Sequence, residues 1–380
     1  MIPGYTTVEY QLPARHAAPQ VFIFVVDTVM IAEELDALKN SLIMALSLIP
    51  ETALVGLISF GASVSLYELA HTDFIKAHIL KGNKEVTPQC LQELLGHHSR
   101  KRGNQGSTNP AMRFLMPRGE CEFHVSTILE ELEPDAWPVA VGQRGMRSTG
   151  AAVGAATALL EVGASMSGAR MMLFTAGAPT VGAGAVATLS LEDRMRQHVE
   201  LQKGGAPLFA SADAYYDKVA QRLAMNGHVC DLFACALDQL GLLEMRHLVE
   251  KTGGTLVNHE GFRGGVQGDV FTSTLMKMFE PGADGHIPMG FKAGLEVLCS
   301  REFKVCGAIG PVTSKNEKGD QISEMEIGIG RTRHPNSHPD PHHTPTRTLT
   351  PPWKFAQGTP RHGSFALSIP ARPSRSTLRL

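Results

Sequence analysis

Four short apolar runs set the limits on what this chain can fold into: VFIFVV (21–26), ALVGLISF (53–60), ARMMLFTAG (169–177) and HVCDLFACAL (228–237). They are short, largely aliphatic and aromatic, and lack polar alternation, as strands do when both faces are covered. Between them the periodicity is helical. Leu35, Leu38, Leu42, Leu46 and Ile49 form a stripe across 32–49, and Pro50 stops it. STGAAVGAATALLEVG (148–163) opens on Ser148 and Thr149, read as helix caps, and continues as a small-residue helix suited to close packing on a sheet. Further helices are expected over 126–132, 212–226, 241–254 and DVFTSTLMKMFE, with glycines at 227 and 253–254 ending two of them. TLVNHE reads as a fifth strand, and YELA after Gly61 as half of an edge hairpin. Buried strands alternating with amphipathic helices predict an α/β fold, a doubly wound, mostly parallel sheet with helices on both faces.

The pattern changes along the chain. Residues 21–288 carry the α/β signal, with a polar, turn-rich insertion near 97–120 expected at the surface. Residues 289–330 show alternating strands (Leu295/Val297, Phe303/Val305), expected to form part of a β-sandwich to which YTTVEYQL within 1–20 contributes a strand. Residues 331–380 are rich in Pro, His, Thr and Arg, and are expected to be disordered for want of apolar surface to bury. That tail holds eight Lys/Arg and one acid, a net +7, against −9 for residues 1–330. The overall charge of −2 gives no general attraction to nucleic acid.

The six cysteines are too scattered for a disulfide framework, and Cys230 and Cys235 read as buried thiols rather than a metal or redox pair. No secretory leader is visible. The most apolar segment, 42–60, is broken by Pro50 and Glu51 into helix, turn and strand, so a reducing, cytosolic setting is expected. His334, His338, His342 and His343 lie among prolines without cysteine partners, a poor zinc pattern.

The first strand ends in Asp27 followed by Thr28, at a position where α/β folds place ligands. Three chemistries compete for such an acid. A metal-dependent adhesion site of the von Willebrand A type needs Asp-x-Ser-x-Ser, because a hard cation requires several oxygens on one loop. Here those places hold Val29 and Ile31, and the loop TAGAPT (175–180) has no acid. A phosphatase-like nucleophile needs a second acid two residues on, where Val29 stands. Nucleotide binding needs a complete glycine fingerprint, and GAPTVGAGAVA supplies only Gly182-x-Gly184. The scaffold therefore resembles an enzyme fold without its chemistry, and an interaction surface is the expected use.

FVVDTVMIAEELDALKNSLIMALSLIPETALVGLISFG, RFLMP, DAWPVAVGQRGMRSTGAAV, GARMMLFTAG, GHVCDLFACALDQLGLLEM and SREFKVCGAIGPV together resemble the Sec twenty-three family, in family order from 5 to 330. That family is the GTPase-activating inner-coat subunit of the coat complex II (COPII) vesicle coat. The resemblance implies a von Willebrand A-like trunk without the metal motif. It also implies docking to the cargo-binding paralogue through the trunks, contact with a Sar-type small GTPase and with the outer-coat cage, and a peripheral place on the cytosolic face of the endoplasmic reticulum and on vesicles. The family's four-cysteine zinc finger has no counterpart here, nor do its helical and gelsolin-like domains, and the family's arginine finger matches no motif in this chain. So no cofactor and no catalytic residue are expected, zinc being a feature of the family's finger. A truncated coat subunit is the principal expectation, with a metal-dependent adhesion protein or a hydrolase on the same fold as the alternative. The partner surface is expected on the rim at the strand ends, with Asp27, Thr28, Thr149, Asp238 and Gln239.

Overall fold

The computed structural model describes residues 19–71, 73–99, 110–165, 167–263 and 270–282, and short pieces beyond at 287, 289–291, 293–295, 305, 308–310, 312–314, 353–355 and 366–367. The four apolar runs form β1 (Val21–Asp27), β2 (Leu54–Phe60), β6 (Ala169–Thr175) and β7 (Val229–Cys235), and every residue in them is buried. β8 (Leu256–His259) joins them in a parallel set ordered β2-β1-β6-β7-β8. β3 (Ser63–Tyr67) and β4 (Ala77–Lys81) extend the β2 side as an antiparallel meander. The edge is thus a full hairpin; its first strand lies ahead of the expected YELA, of which only Tyr67 is in β3. β4 alternates exposed and buried residues, the mark of a strand with one face on the core.

Complete burial of β1 follows from period two. Val21, Ile23 and Val25 enter one core, with α2 (Pro88–Ser99), α4 (Thr149–Gly163), α6 (Pro207–Asn226) and α7 (Leu242–Glu250). Phe22, Phe24 and Val26 enter the other, with α1 (Ala32–Leu48), α3 (Arg118–Glu130) and α8 (Val270–Met278). The same rule separates Cys230 from Cys235. They are five residues apart on β7, so one sits in each core, and the sheet lies between the thiols. Burial pushes Cys235 up to about 12 and Cys230 higher still, which keeps both as inert thiols.

Helix ends fall where local chemistry puts them. Ile49, ahead of Pro50, is extended and closes α1. Gly227 takes φ 74° after α6, a left-handed geometry that glycine adopts without strain. α4 packs on β1, β2 and β6, and its glycines allow close approach on its other sides, Gly150 to the loop after β6 and Gly150 and Gly154 to Tyr215 of α6. A Cβ on Gly150 would stand 1.7 Å from the Ala183 carbonyl oxygen.

One expectation needs correction. The polar insertion does not run to 120. Among its described residues a 3-10 turn spans Pro110–Arg113, β5 (Met116–Pro117) pairs with β2, and α3 begins at Arg118. Ala111, Phe114 and Leu115 are fully buried, so three apolar side chains outweigh the polar composition around them. Residues 100–109 lie outside the described residues. Two short pieces of the tail are described. Trp353–Phe355 pairs antiparallel with Ala293–Leu295 and Val312–Ser314, and Ala366–Leu367 with Ala308–Ile309. These are the tail's apolar patches, the parts able to add strands to the expected β module. The proposed strand at 5–12 and the remainder of the tail lie outside the described residues.

The close approach of α4 gives a direct test. Gly150→Ala should destabilise the fold by roughly 2 kcal/mol or more in urea unfolding, because overpacking against backbone outweighs the gain in helix propensity. Gly119→Ala, where a Cβ meets nothing nearer than 3.4 Å, should be neutral or slightly stabilising.

Candidate functional site

β1 is the strand at which the winding reverses: the β1–α1–β2 crossover lies on one face and α4, leading into β6, on the other. Its C-terminal end is the topological switch point, where open α/β sheets place ligands. Asp27 sits there with no exposed surface. Oδ2 accepts from Arg147 Nε at 2.6 Å, from the Ala176 amide at 2.9 Å and from Thr175 Oγ1 at 3.2 Å, while Oδ1 accepts from the Val29 amide at 2.8 Å. A buried carboxylate is tolerated only when paired and hydrogen-bonded, and Asp27 is both.

Arg147 is the organising group. Its guanidinium also donates to the Val29 and Ala178 carbonyls, so it ties the β1–α1 loop to the loop after β6. Its own backbone is fixed by Thr180, which donates its amide to the Arg147 carbonyl at 3.0 Å and accepts the Arg147 amide on Oγ1 at 2.9 Å. The next residue, Ser148, was expected to cap α4 with its side chain; instead Ser148 Oγ donates to the Gly61 carbonyl at 2.7 Å. Thr149 Oγ1 is buried without a hydrogen-bond partner.

A second buried pair fixes the other end of β6. Arg170 and Asp231 are both fully buried and form a bidentate contact across β6 and β7, and Asp231 Oδ1 also accepts the Thr255 amide at 2.7 Å.

The surface above Asp27 is built by the segment 133–147. Asp135 donates its amide to the Thr28 carbonyl at 2.9 Å and accepts from the Ala62 and Trp137 amides on its two oxygens. Arg144 donates to the carbonyls of Thr188, Ser190 and Asp193, which fastens this segment to the loop after β6. The segment presents Trp137, Val139 and Val141 to solvent, at 58%, 54% and 105% exposure. Ile31 after β1 and Leu237 after β7 are exposed on neighbouring strand-end connections.

These positions revise the expected partner surface. Asp27, Thr28 and Thr149 are buried: Asp27 is paired with Arg147, Thr28 Oγ1 donates to the Phe60 carbonyl at 3.0 Å, and Thr149 opens the buried α4. Asp238 and Gln239 are exposed beside Leu237. Arg147, Thr175 and Thr180 were missed. The available signal was only half of what was needed: a lone carboxylate closing a buried strand demands a counter-charge, but no local pattern shows which cation supplies it.

The groups left for a divalent cation do not suffice. Both Asp27 oxygens and Thr180 Oγ1 are engaged, Val29 and Ile31 supply hydrocarbon, and the lone hydroxyl of Thr149 falls far short of an octahedral oxygen shell. No cluster of three His, Cys, Asp or Glu residues suited to a metal occurs among the described residues.

Fold and site together define a von Willebrand A-like α/β domain whose strand-end carboxylate is closed by an arginine. The chain belongs to the Sec23/Sec24 trunk domain family, whose pattern matches residues 17–279. Among solved structures it is similar to the human COPII-coat protein Sec24c, at 16% identity and a TM-score of 0.50, over 70% of this chain and 33% of that one. The chain thus spans about a third of that protein's length. It is also similar to a von Willebrand factor type A protein from Catenulispora acidiphila, at 11% identity and a TM-score of 0.37, over 69% of this chain and 41% of that one. A third is the mussel byssus proximal thread matrix protein 1 with a zinc-occupied MIDAS motif, at 10% identity and a TM-score of 0.35, over 69% and 45%.

A separate titratable cluster lies under β3 and β4. Burial pushes the Glu68 carboxyl up, but hydrogen bonds from Lys76 at 2.7 Å and His78 at 3.0 Å, with the charge of Arg113, outweigh it and hold it below its ordinary 4.5. Burial, and after it the nearby His71, holds the His124 imidazole below its ordinary 6.5.

Two outcomes follow. Asp27→Ala, which strands a buried guanidinium, should cost about 3–5 kcal/mol in urea unfolding. For pH, His124 resists protonation in the folded chain, so stability should fall as pH drops below about 6.5. The Glu68 contribution, present above about 4.5, is lost as pH falls through its lower folded value. Melting temperatures by circular dichroism should decline from pH 7 to 5, and His124→Gln should flatten that decline.

Proposed function

We propose that this chain is a subunit of the COPII coat acting in vesicle transport from the endoplasmic reticulum to the Golgi. It binds the cargo-binding paralogue trunk-to-trunk and engages a Sar-type small GTPase at the cytosolic membrane face. Family membership across residues 17–279 carries this reading. The site's chemistry supports it, because a carboxylate with both oxygens engaged offers neither a nucleophile nor a cation ligand, whereas the rim above it displays rigid apolar side chains. Exposed Trp and Val held on a hydrogen-bonded loop lose little entropy on docking, and a standard interface of about 1,600 Å² is within reach of a trunk of this size. No described helix is long and apolar enough to cross a membrane, which suits a peripheral association with the coat's other subunits.

The role proposed toward the GTPase is binding rather than catalysis. The buried and half-buried arginines have internal partners: Arg147 with Asp27, Arg170 with Asp231, Arg196 with Glu244 and Arg222 with Glu161. An arginine that enters a GTPase to stabilise the transition state accelerates hydrolysis by roughly 10³–10⁵. This chain alone is therefore expected to leave single-turnover GTP hydrolysis by a Sar-type GTPase within a few-fold of its intrinsic rate. An increase of hundreds-fold would reassign the catalytic arginine to this chain.

The docking partner is tested by size-exclusion chromatography of this chain mixed with the paralogue's trunk. Co-elution as a one-to-one complex is expected, and Trp137→Ser should weaken it at least tenfold while leaving the melting temperature unchanged. Separate elution of the wild-type proteins would refute the trunk-to-trunk reading.

A further inference from the structure

At a metal-dependent adhesion site a divalent cation would lie against the carboxylate that ends the first strand, where its charge would neutralise the acid and its oxygen ligands would tie the surrounding loops together. Here both tasks are already done by one side chain. The Arg147 guanidinium contacts Asp27 Oδ2 at 2.6 Å, and two of its other donors reach carbonyls on two different loops, at Val29 and Ala178. Its backbone is clamped by Thr180, and the group is nearly buried. The Asp27 oxygens receive three further donors from the protein, the amides of Val29 and Ala176 and the Thr175 hydroxyl. All these contacts converge beneath the segment that carries Trp137, Val139 and Val141.

We propose that Arg147 is a built-in, irremovable replacement for the divalent cation of this fold. It holds the strand-end rim in one state, so the rim's conformation and anything docked on it are independent of Mg²⁺, Mn²⁺ and chelators. A metal reads out as a reversible ligand because it can leave, whereas a guanidinium on the same backbone cannot. An arginine also stays charged at any physiological pH, and its planar fork suits simultaneous bonds to a carboxylate and to carbonyls flanking it. Lysine offers a point charge without that fork. The inference does not depend on which coat subunit this chain is, since it concerns only the state of the rim.

The test uses the full chain and the metal alone as probe. Wild-type protein is titrated with Mn²⁺ by calorimetry, and its melting temperature is measured in 5 mM Mg²⁺, 5 mM Mn²⁺ or excess EDTA. No binding heat and melting temperatures within about 1 °C of each other are expected. Arg147→Ala should melt several degrees lower, because the buried Asp27 carboxylate loses its charge partner, and should stay silent toward Mn²⁺, since Val29 and Ile31 still stand where ligand oxygens would be. Asp27→Asn combined with Arg147→Ala should recover part of that loss, because no buried charge is then left unpaired. Arg147→Lys, which keeps the charge but not the fork, should melt between wild type and Arg147→Ala and remain silent toward Mn²⁺. A divalent-dependent rise of several degrees in wild-type melting temperature would overturn the proposal. So would an Arg147→Ala protein as stable as wild type, or a double variant no more stable than Arg147→Ala. If Arg147→Ala fails to fold, the wild-type titration and the Arg147→Lys comparison still decide the matter.

Discussion

The buried contact between Asp27 and Arg147 is the constraint on which the functional end of this molecule depends. A carboxylate with no solvent access is among the most costly groups to place inside a protein, and it persists only because a guanidinium, two amides and one hydroxyl surround it. The groups that satisfy Asp27 come from the loop after β1, from the end of β6 and the loop after it, and from the residue pair preceding α4. Satisfying one charge therefore fixes three loops. The rim that results is rigid by necessity, because any loop that moves away leaves a buried polar group without its partner.

β6 is held by charge at both ends: Arg170 at its start pairs with Asp231 on β7, and Thr175 and Ala176 at its far end donate to the Asp27 carboxylate. Between these ends the strand is pure hydrocarbon and packs against both cores, with Phe174 stacked at 4.7 Å on Phe233 and edge-on to Phe271. Packing of this kind supplies most of the burial free energy, while the charged pairs select register. A one-residue slip of β6 would carry Arg170 from Asp231 and turn every core residue to the opposite face.

The consequence of this division of labour is a closed strand end. The scaffold that positions a strand-end carboxylate is retained, but its charge is neutralised internally. What remains exposed is the outer surface of the loops, where Trp137, Val139 and Val141 stand above hydrogen-bonded backbone. The chain belongs to the Sec23/Sec24 trunk domain family, and the docking role proposed for it rests on that outer surface, not on the carboxylate.

The sequence by itself determined the two-sided sheet. Runs such as VFIFVV and ARMMLFT can only be strands covered on both faces, and the Leu stripe of 32–49 can only be a helix lying on them, because period and hydrophobicity are local properties. It also showed that Val29 and Ile31 remove the oxygens a cation needs. The edge hairpin partner at 77–81 was not legible, since its alternation is short and half-exposed. The burial of Ala111, Phe114 and Leu115 was hidden by polar neighbours. Only the tertiary structure decided the fate of Asp27. Arg147 lies 120 residues away along the chain, and nothing local to either residue marks them as partners. Pairing across that distance is set by where the parallel crossover brings the start of α4 relative to the end of β1, a property of topology that no stretch of residues carries alone.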